Sequence, residues 1–162
     1  MSASQPPPLR RIVSGGQTGV DRGALDAAIA LEIEHGGWCP RGRLAEDGRI
    51  PGKYRLAETS SPEYPARTEQ NVIDSDATLI LFRGTLRGGS RLTHHLAKKH
   101  CKPCFTVNLD QPVDTKDVAA WLHKHHVETL NIAGPRESSD PGIAQRTFDF
   151  MIRLLQQTAR CE

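Results

Sequence analysis

Three glycine-rich stretches are the places where this chain could meet an anion: Gly15-Gly16-Gln17-Thr18-Gly19, Gly84 to Gly89, and Gly134. Glycine has no Cβ, so its N–H can come close to a negative group and point at it. Gly16 and Gly19 are expected to serve in this way, and Gly16→Val to abolish binding without unfolding a domain whose loop alone is altered. Helices opening near residues 20 and 90 would add their positive N-terminal ends. Between residues 40 and 67 six basic side chains stand against four acidic ones. Arginine forks suit phosphate-like oxyanions, although a mixed-charge surface loop has the same composition. The first loop lacks the Gly-Lys-Ser/Thr of a P-loop, and Gly-x-Gly-x-x-Gly is absent, so NTP hydrolysis and standard dehydrogenase chemistry are disfavoured.

These loops need a scaffold that brings them together. Short or apolar runs predict strands at residues 11–14, 35–39, 77–82, 105–107 and 129–133. The 77–82 run, apolar without alternation, suits a parallel strand covered on both faces. Helical spacing appears from Asp21 to Leu31, and a short helix fits 67–74. Ser90 can cap a helix to about His100, and Asp114 or Thr115 one to about His126. Asp140-Pro141 opens the last, with Pro at the first helical position, running to about Gln157. Residues 40–65 read as a long irregular segment, a length that compact domains keep for function. Alternating strands and helices predict an α/β, three-layer Rossmann-like fold with a mostly parallel five-stranded sheet. The three glycine loops then share its carboxyl edge, where ligands bind. Residues 1–9 read as a flexible tail and 10–158 as one ligand-binding domain.

The 162 residues, 37% hydrophobic with a net charge of +2, fit one soluble domain with no footprint for nucleic acid. No apolar run approaches a membrane span, and the polar, Pro-rich start is unlike a secretory signal. Cys39, Cys101, Cys104 and Cys161 are too few for a disulfide scaffold, which makes the cytoplasm the expected compartment. Cys101-Lys102-Pro103-Cys104 has redox or zinc spacing. It falls where a helix hands over to a strand, so packing for Cys104 and an incidental thiol at Cys101 are expected, with no metal. His123, His125 and His126 complement a helix C-terminus. Trp38 could stack on a flat ring or simply pack.

The segments Ser14 to Gly23 and Gly36-Gly37-Trp38-Cys39-Pro40-Arg41-Gly42-Arg43 resemble the molybdenum cofactor carrier family. So do Glu46-Asp47-Gly48-Arg49-Ile50-Pro51, Arg67-Thr68-Glu69-Gln70-Asn71-Val72 and Gly134-Pro135-Arg136-Glu137-Ser138. This family is the circularly permuted YpsA-like branch of the SLOG superfamily, which also holds the Lonely Guy phosphoribohydrolases. The resemblance spans roughly residues 10–157. It implies a Rossmann-like fold, a homo-oligomer (dimer or tetramer), and a pocket for the molybdenum cofactor, molybdate or a nucleotide-like ligand. By their place beside its motifs, Arg43, Arg67, Asp21, Gly134, Arg136 and Glu137 join Gly15 to Gly19 as expected ligand contacts. Gly88-Gly89-Ser90-Arg91-Leu92-Thr93 resembles the superfamily's phosphate loop, which adds Gly88, Gly89, Ser90 and Thr93. Where the Lonely Guy enzymes carry glutamates, this stretch ends in His94-His95, and no acid follows before residue 110. A carrier therefore leads over a nucleotide phosphoribohydrolase, in which Asp21 or Glu137 would have to replace that carboxylate. A nucleotide-sensing regulator is the third reading.

Overall fold

The computed structural model describes residues 9–159. Of the expected tail, Leu9 packs against the core; residues 1–8, like Cys161, lie outside the described residues. Strands β1 (Arg11–Val13), β2 (Glu34–Gly36), β7 (Ala77–Phe82), β8 (Cys104–Asn108) and β9 (Thr129–Ala133) form one sheet in the order β2-β1-β9-β7-β8. Every pair in it is parallel. The unalternating run of β7 places Leu79, Ile80 and Leu81 beyond the reach of solvent, as a strand covered on both faces requires.

Helices α1 (Val20–Ala30), α4 (Thr115–Lys124) and α5 (Ile143–Ala159) pack together over one face. Helices α2 (Tyr64–Ile73) and α3 (Gly88–Lys99) cover the other, around Val72, Leu96 and Ala97. The three-layer α/β architecture expected from the sequence is the one found.

Helix α1 meets α5 closely at Gly23, where a Cβ would overlap the Ala144 carbonyl and lie 2.9 Å from the Thr147 Cβ. Thr147 is fully buried there, and its hydroxyl has no hydrogen-bond partner among the described residues. Replacing that hydroxyl by a methyl of the same shape removes an unsatisfied group. Thr147→Val is therefore expected to raise stability by about 1 kcal/mol, read as a higher urea midpoint with an unchanged slope.

Four sequence expectations need correction. The 35–39 run is broken at Gly37, whose φ of +126° turns the chain out of the sheet. Trp38–Cys39 (β3) instead pairs in parallel with Ala57–Glu58 (β6) in a separate two-stranded sheet. Residues 40–65 are not structureless. Leu44–Ala45 (β4) and Gly48–Arg49 (β5) form a hairpin, and Ile50 and Tyr54 are buried beneath it with Leu25 and Cys39. Ser90 does not cap α3: Arg87 holds the N-cap position, without a side-chain cap, and Ser90 sits inside the first turn. Pro141 lies before α5 because Gly142, at φ +90°, departs from helical geometry. Asp114 does cap α4, accepting from Lys116 N at 2.9 Å.

Candidate functional site

A cleft of about 590 Å³ opens where the chain leaves β1, β7 and β9, a size usual for small-molecule sites. Its floor carries Gly15, Gln17, Asp21 and Asn131; one wall is the start of α2, from Tyr64 to Asn71, and the other the start of α3, from Arg87 to Thr93. The loops after β7 and β9, including Arg83, Gly134, Arg136 and Asp140, close the rim.

Asp21 and Arg67 form the buried centre. Asp21 Oδ2 accepts from Gln17 N at 3.2 Å and lies 3.4 Å from Arg67 Nη1, with both side chains about nine-tenths covered. Burial pushes the Asp21 carboxyl above its ordinary range, although Arg67 and the N–H groups of Gln17 and Gly15 pull the other way. Arg67 Nε also donates to the Tyr64 carbonyl at 3.2 Å. At the rim Arg83 is neutralised by Asp110 at 2.8 Å and Asp140 at 3.3 Å. Arg87 has no carboxylate partner among the described residues, and Arg136 has only Glu46 at 4.0 Å. The first turn of α3 thus offers unsatisfied backbone N–H groups next to an unpaired guanidinium. Ser90, 96% buried within that turn, lines the cleft, and its hydroxyl makes no hydrogen bond among the described residues.

Residues 12–155 match the model of the circularly permuted YpsA SLOG family. The chain belongs to this family. A crystal structure named "Putative molybdenum carrier protein", from Syntrophus aciditrophicus SB, is 48% identical and has a TM-score of 0.85. The match covers 92% of this chain and 96% of that one. No curated protein matches. The permutation that gives the YpsA branch its name is visible in the strand order. If β9 is counted first and β1 second, the sheet reads 3-2-1-4-5, the order of the first five strands of a Rossmann sheet. The loop after β9 therefore occupies the central position that a Rossmann fold gives its first loop.

Within this family fold the cleft gathers ten of the residues singled out from the sequence: Gly15, Gln17, Asp21, Arg67, Gly88, Gly89, Ser90, Thr93, Gly134 and Arg136. Five others do not line it. Arg43 turns away, donating to the carbonyls of Ile50, Pro51, Tyr54 and Leu56 at 2.8–3.4 Å, so its fork holds the hairpin segment. The Glu137 carboxylate caps the entry to α5 through Gly142 N and Ala144 N, the latter at 3.0 Å. Thr18 bonds to Glu46 and accepts from Glu137 N, tying the loops after β1 and β9 together. Gly16 and Gly19 face protein. A Cβ at Gly16 would lie 2.5 Å from Leu56 Cδ1, and one at Gly19 would overlap the Pro135 carbonyl. Gly16→Val, expected from the sequence to spare the fold, must instead disturb it, since Gly16 also has φ +77°.

Gly15 has a similar role: a Cβ there would overlap the Arg67 guanidinium, so its absence lets Arg67 lie across the loop. At Gly88 and Gly89 the space beside the backbone is open, which is where the close-approach argument does apply.

The sequence reading passed over Tyr64, Asn71, Arg83, Arg87 and Asn131. Asn131 carried a legible signal, as a buried amide inside the otherwise apolar run of β9. Trp38 donates its indole N–H to Asp74 at 2.6 Å and lies outside the cleft lining. Cys101 takes the left-handed position that ends α3, at φ +53°. Cys104 packs against the α2–α3 core, where burial pushes its thiol up to about 11. Among the described residues no three His, Cys, Asp or Glu side chains gather as metal ligands, and no helix is long and apolar enough to cross a membrane.

Proposed function

We propose that this protein binds and carries an anionic pterin- or nucleotide-type ligand, with the molybdenum cofactor as the leading cargo. One observation carries the reading: the cleft where three post-strand loops converge includes the open N-terminus of α3, an unpaired Arg87 and the Ser90 hydroxyl, unpartnered among the described residues. Those donors suit the phosphate of the cofactor, or of a nucleotide, by charge-assisted hydrogen bonds. The name of the Syntrophus relative agrees with a molybdenum-related cargo. Of the two carboxylates weighed for the phosphoribohydrolase reading, Asp21 lines the cleft and Glu137 is held as a cap. Asp21 is itself bound to Arg67 and Gln17, which favours a positioning role over proton transfer. We place the protein in the cytoplasm, on its few cysteines, and expect a dimer or tetramer, on the family resemblance. A monomer by light scattering at micromolar concentration would count against that assembly.

The test is to purify the protein from its own cells, identify the copurifying ligand by mass and metal analysis, and titrate the stripped protein with it. Arg87→Ala should weaken binding by about 1.5–3 kcal/mol, a charged hydrogen bond's worth, or roughly ten- to hundredfold. Undiminished binding by Arg87→Ala and Ser90→Ala together would remove α3 from the site. Release of a free base from nucleoside monophosphates, lost in Asp21→Asn, would replace the carrier with the hydrolase.

A further inference from the structure

The central sheet ends in two unlike edges, and we infer that the outer edge of β8 is where a second copy of this chain docks. The two β8 strands run antiparallel about a two-fold axis at Thr106 and join the two sheets into one. This rests on the homo-oligomer reading above and specifies its contact surface.

At one edge β2 is short, Glu34-His35-Gly36, and carries a charge and a glycine. The segment after the hairpin lies against it, Arg55 N donating to His35 Nε2 at 3.1 Å. Shortness, charge and cover are the devices that keep a sheet edge from pairing further. At the other edge β8 has none of them. Cys104-Phe105-Thr106-Val107-Asn108 contains no charge, proline or glycine, and all five residues pair with β7 without a bulge. Thr106, at the centre, is exposed.

The backbone of that edge is self-complementary. Thr78 N donates to the Pro103 carbonyl at 3.0 Å and Leu109 N to the Phe82 carbonyl at 2.7 Å, which fixes the alternation between them. Phe105 and Val107 turn their N–H and C=O groups to β7, and Cys104, Thr106 and Asn108 turn theirs outward. Among the described residues no strand meets those outward groups. The Asn108 carbonyl accepts from Gln111 N at 3.1 Å and keeps a second lone pair. An antiparallel copy centred on Thr106 sets Thr106 against its own equivalent and Cys104 against Asn108, so each outward group finds a partner. Parallel pairing would need an offset of one residue, which a closed two-fold does not allow. The side chains match across the seam as well. Phe105 packs on Trp121 of α4, ring centres 5.3 Å apart, and both stay partly exposed. In the pair each Phe105 lies opposite Val107 of the other copy, an aromatic and β-branched match, and the two threonines face each other.

Light scattering of the full chain at micromolar concentration should give a dimer, or a tetramer built from it. Thr106→Pro removes an outward N–H that β7 does not use and should weaken the contact about tenfold or more, the scale of two backbone hydrogen bonds. Thr106→Lys should do the same by setting two like charges on the axis. Each variant should halve the assembly while circular dichroism shows it folded. The third probe is a cross-link, which decides the matter if either substitution unfolds the chain. Replacing Cys101, Cys104 and Cys161 by Ser leaves only Cys39, which is buried. Thr106→Cys in that background should form a covalent dimer on mild oxidation, since facing residues of this kind stand about 5.5 Å apart at Cα. An assembly that both folded substitutions leave intact, or the absence of a cross-link, overturns this contact, and the oligomer then uses another face. A monomeric wild type overturns the homo-oligomer reading as well and leaves the edge to a strand of another protein.

Discussion

Arg67→Met is expected to lower stability by about 3 kcal/mol at neutral pH, the usual penalty for removing one partner of a buried ion pair, and to lose most of that penalty in acid. Arg67 is the strongest influence holding the Asp21 carboxyl down against burial. Without it the folded-state carboxyl rises further above the unfolded value. A raised acid destabilises the fold at pH values above its folded pKa, because ionisation is then easier in the unfolded chain. The penalty shrinks as pH falls from the raised folded value towards the ordinary carboxylate range, and below that range it vanishes. Urea unfolding at pH 7 and in mild acid should therefore show the variant approaching the wild type as pH drops. Adding Asp21→Asn should recover much of the loss at pH 7, since a neutral amide can still accept from Gln17 N. A deficit equal at both pH values, unrelieved by Asp21→Asn, would show that packing over Gly15 is what Arg67 provides.

The elements legible in the sequence are those whose signal is local. β7 and β9 lie where their apolar runs do, because a strand buried on both faces needs nothing more to be read. The convergence of the glycine loops was legible too, since a parallel sheet puts every strand's exit on one edge. The hairpin segment was not. β3 to β6 are two residues each, too short for any periodicity, and their order depends on partners far along the chain. Arg22 reaches Asp47 and the Gly16 carbonyl, and Glu46 reaches Ser138. Arg43 and Arg87 show why an arginine's role cannot be read from its type. Both stand beside glycines, yet Arg43 finds four carbonyls in a loop that folds around it, whereas Arg87 finds none. Tyr64 was passed over for a similar reason, since the expected helix began three residues later, at Arg67.

The glycines give the sharpest separation between folding and binding. Gly19→Ala is expected to cost about 3 kcal/mol, because φ +82° with ψ −130° is a region open essentially to glycine. The added methyl also overlaps the Pro135 carbonyl and lies 2.8 Å from Glu137 N, and backbone of a neighbouring loop yields only at further expense. Gly89→Ala meets nothing within 4 Å and sits in the first turn of α3 without a positive φ. Its stability should be unchanged, or higher by about 0.5 kcal/mol from the better helix former. Its binding should suffer, because the methyl stands where a phosphate would approach the N–H groups of α3. Thermal melts and calorimetric titration of the same two variants should therefore give opposite patterns. Gly19→Ala melts early but still binds in whatever fraction remains folded, and Gly89→Ala melts normally but binds at least tenfold more weakly. The converse result, a well-folded Gly19→Ala that does not bind beside a Gly89→Ala that does, would move the anion from α3 to the loop after β1. The glycines of that loop would then be needed for ligand approach, and the close contacts of Gly19 with the loop after β9 would have to open when ligand enters.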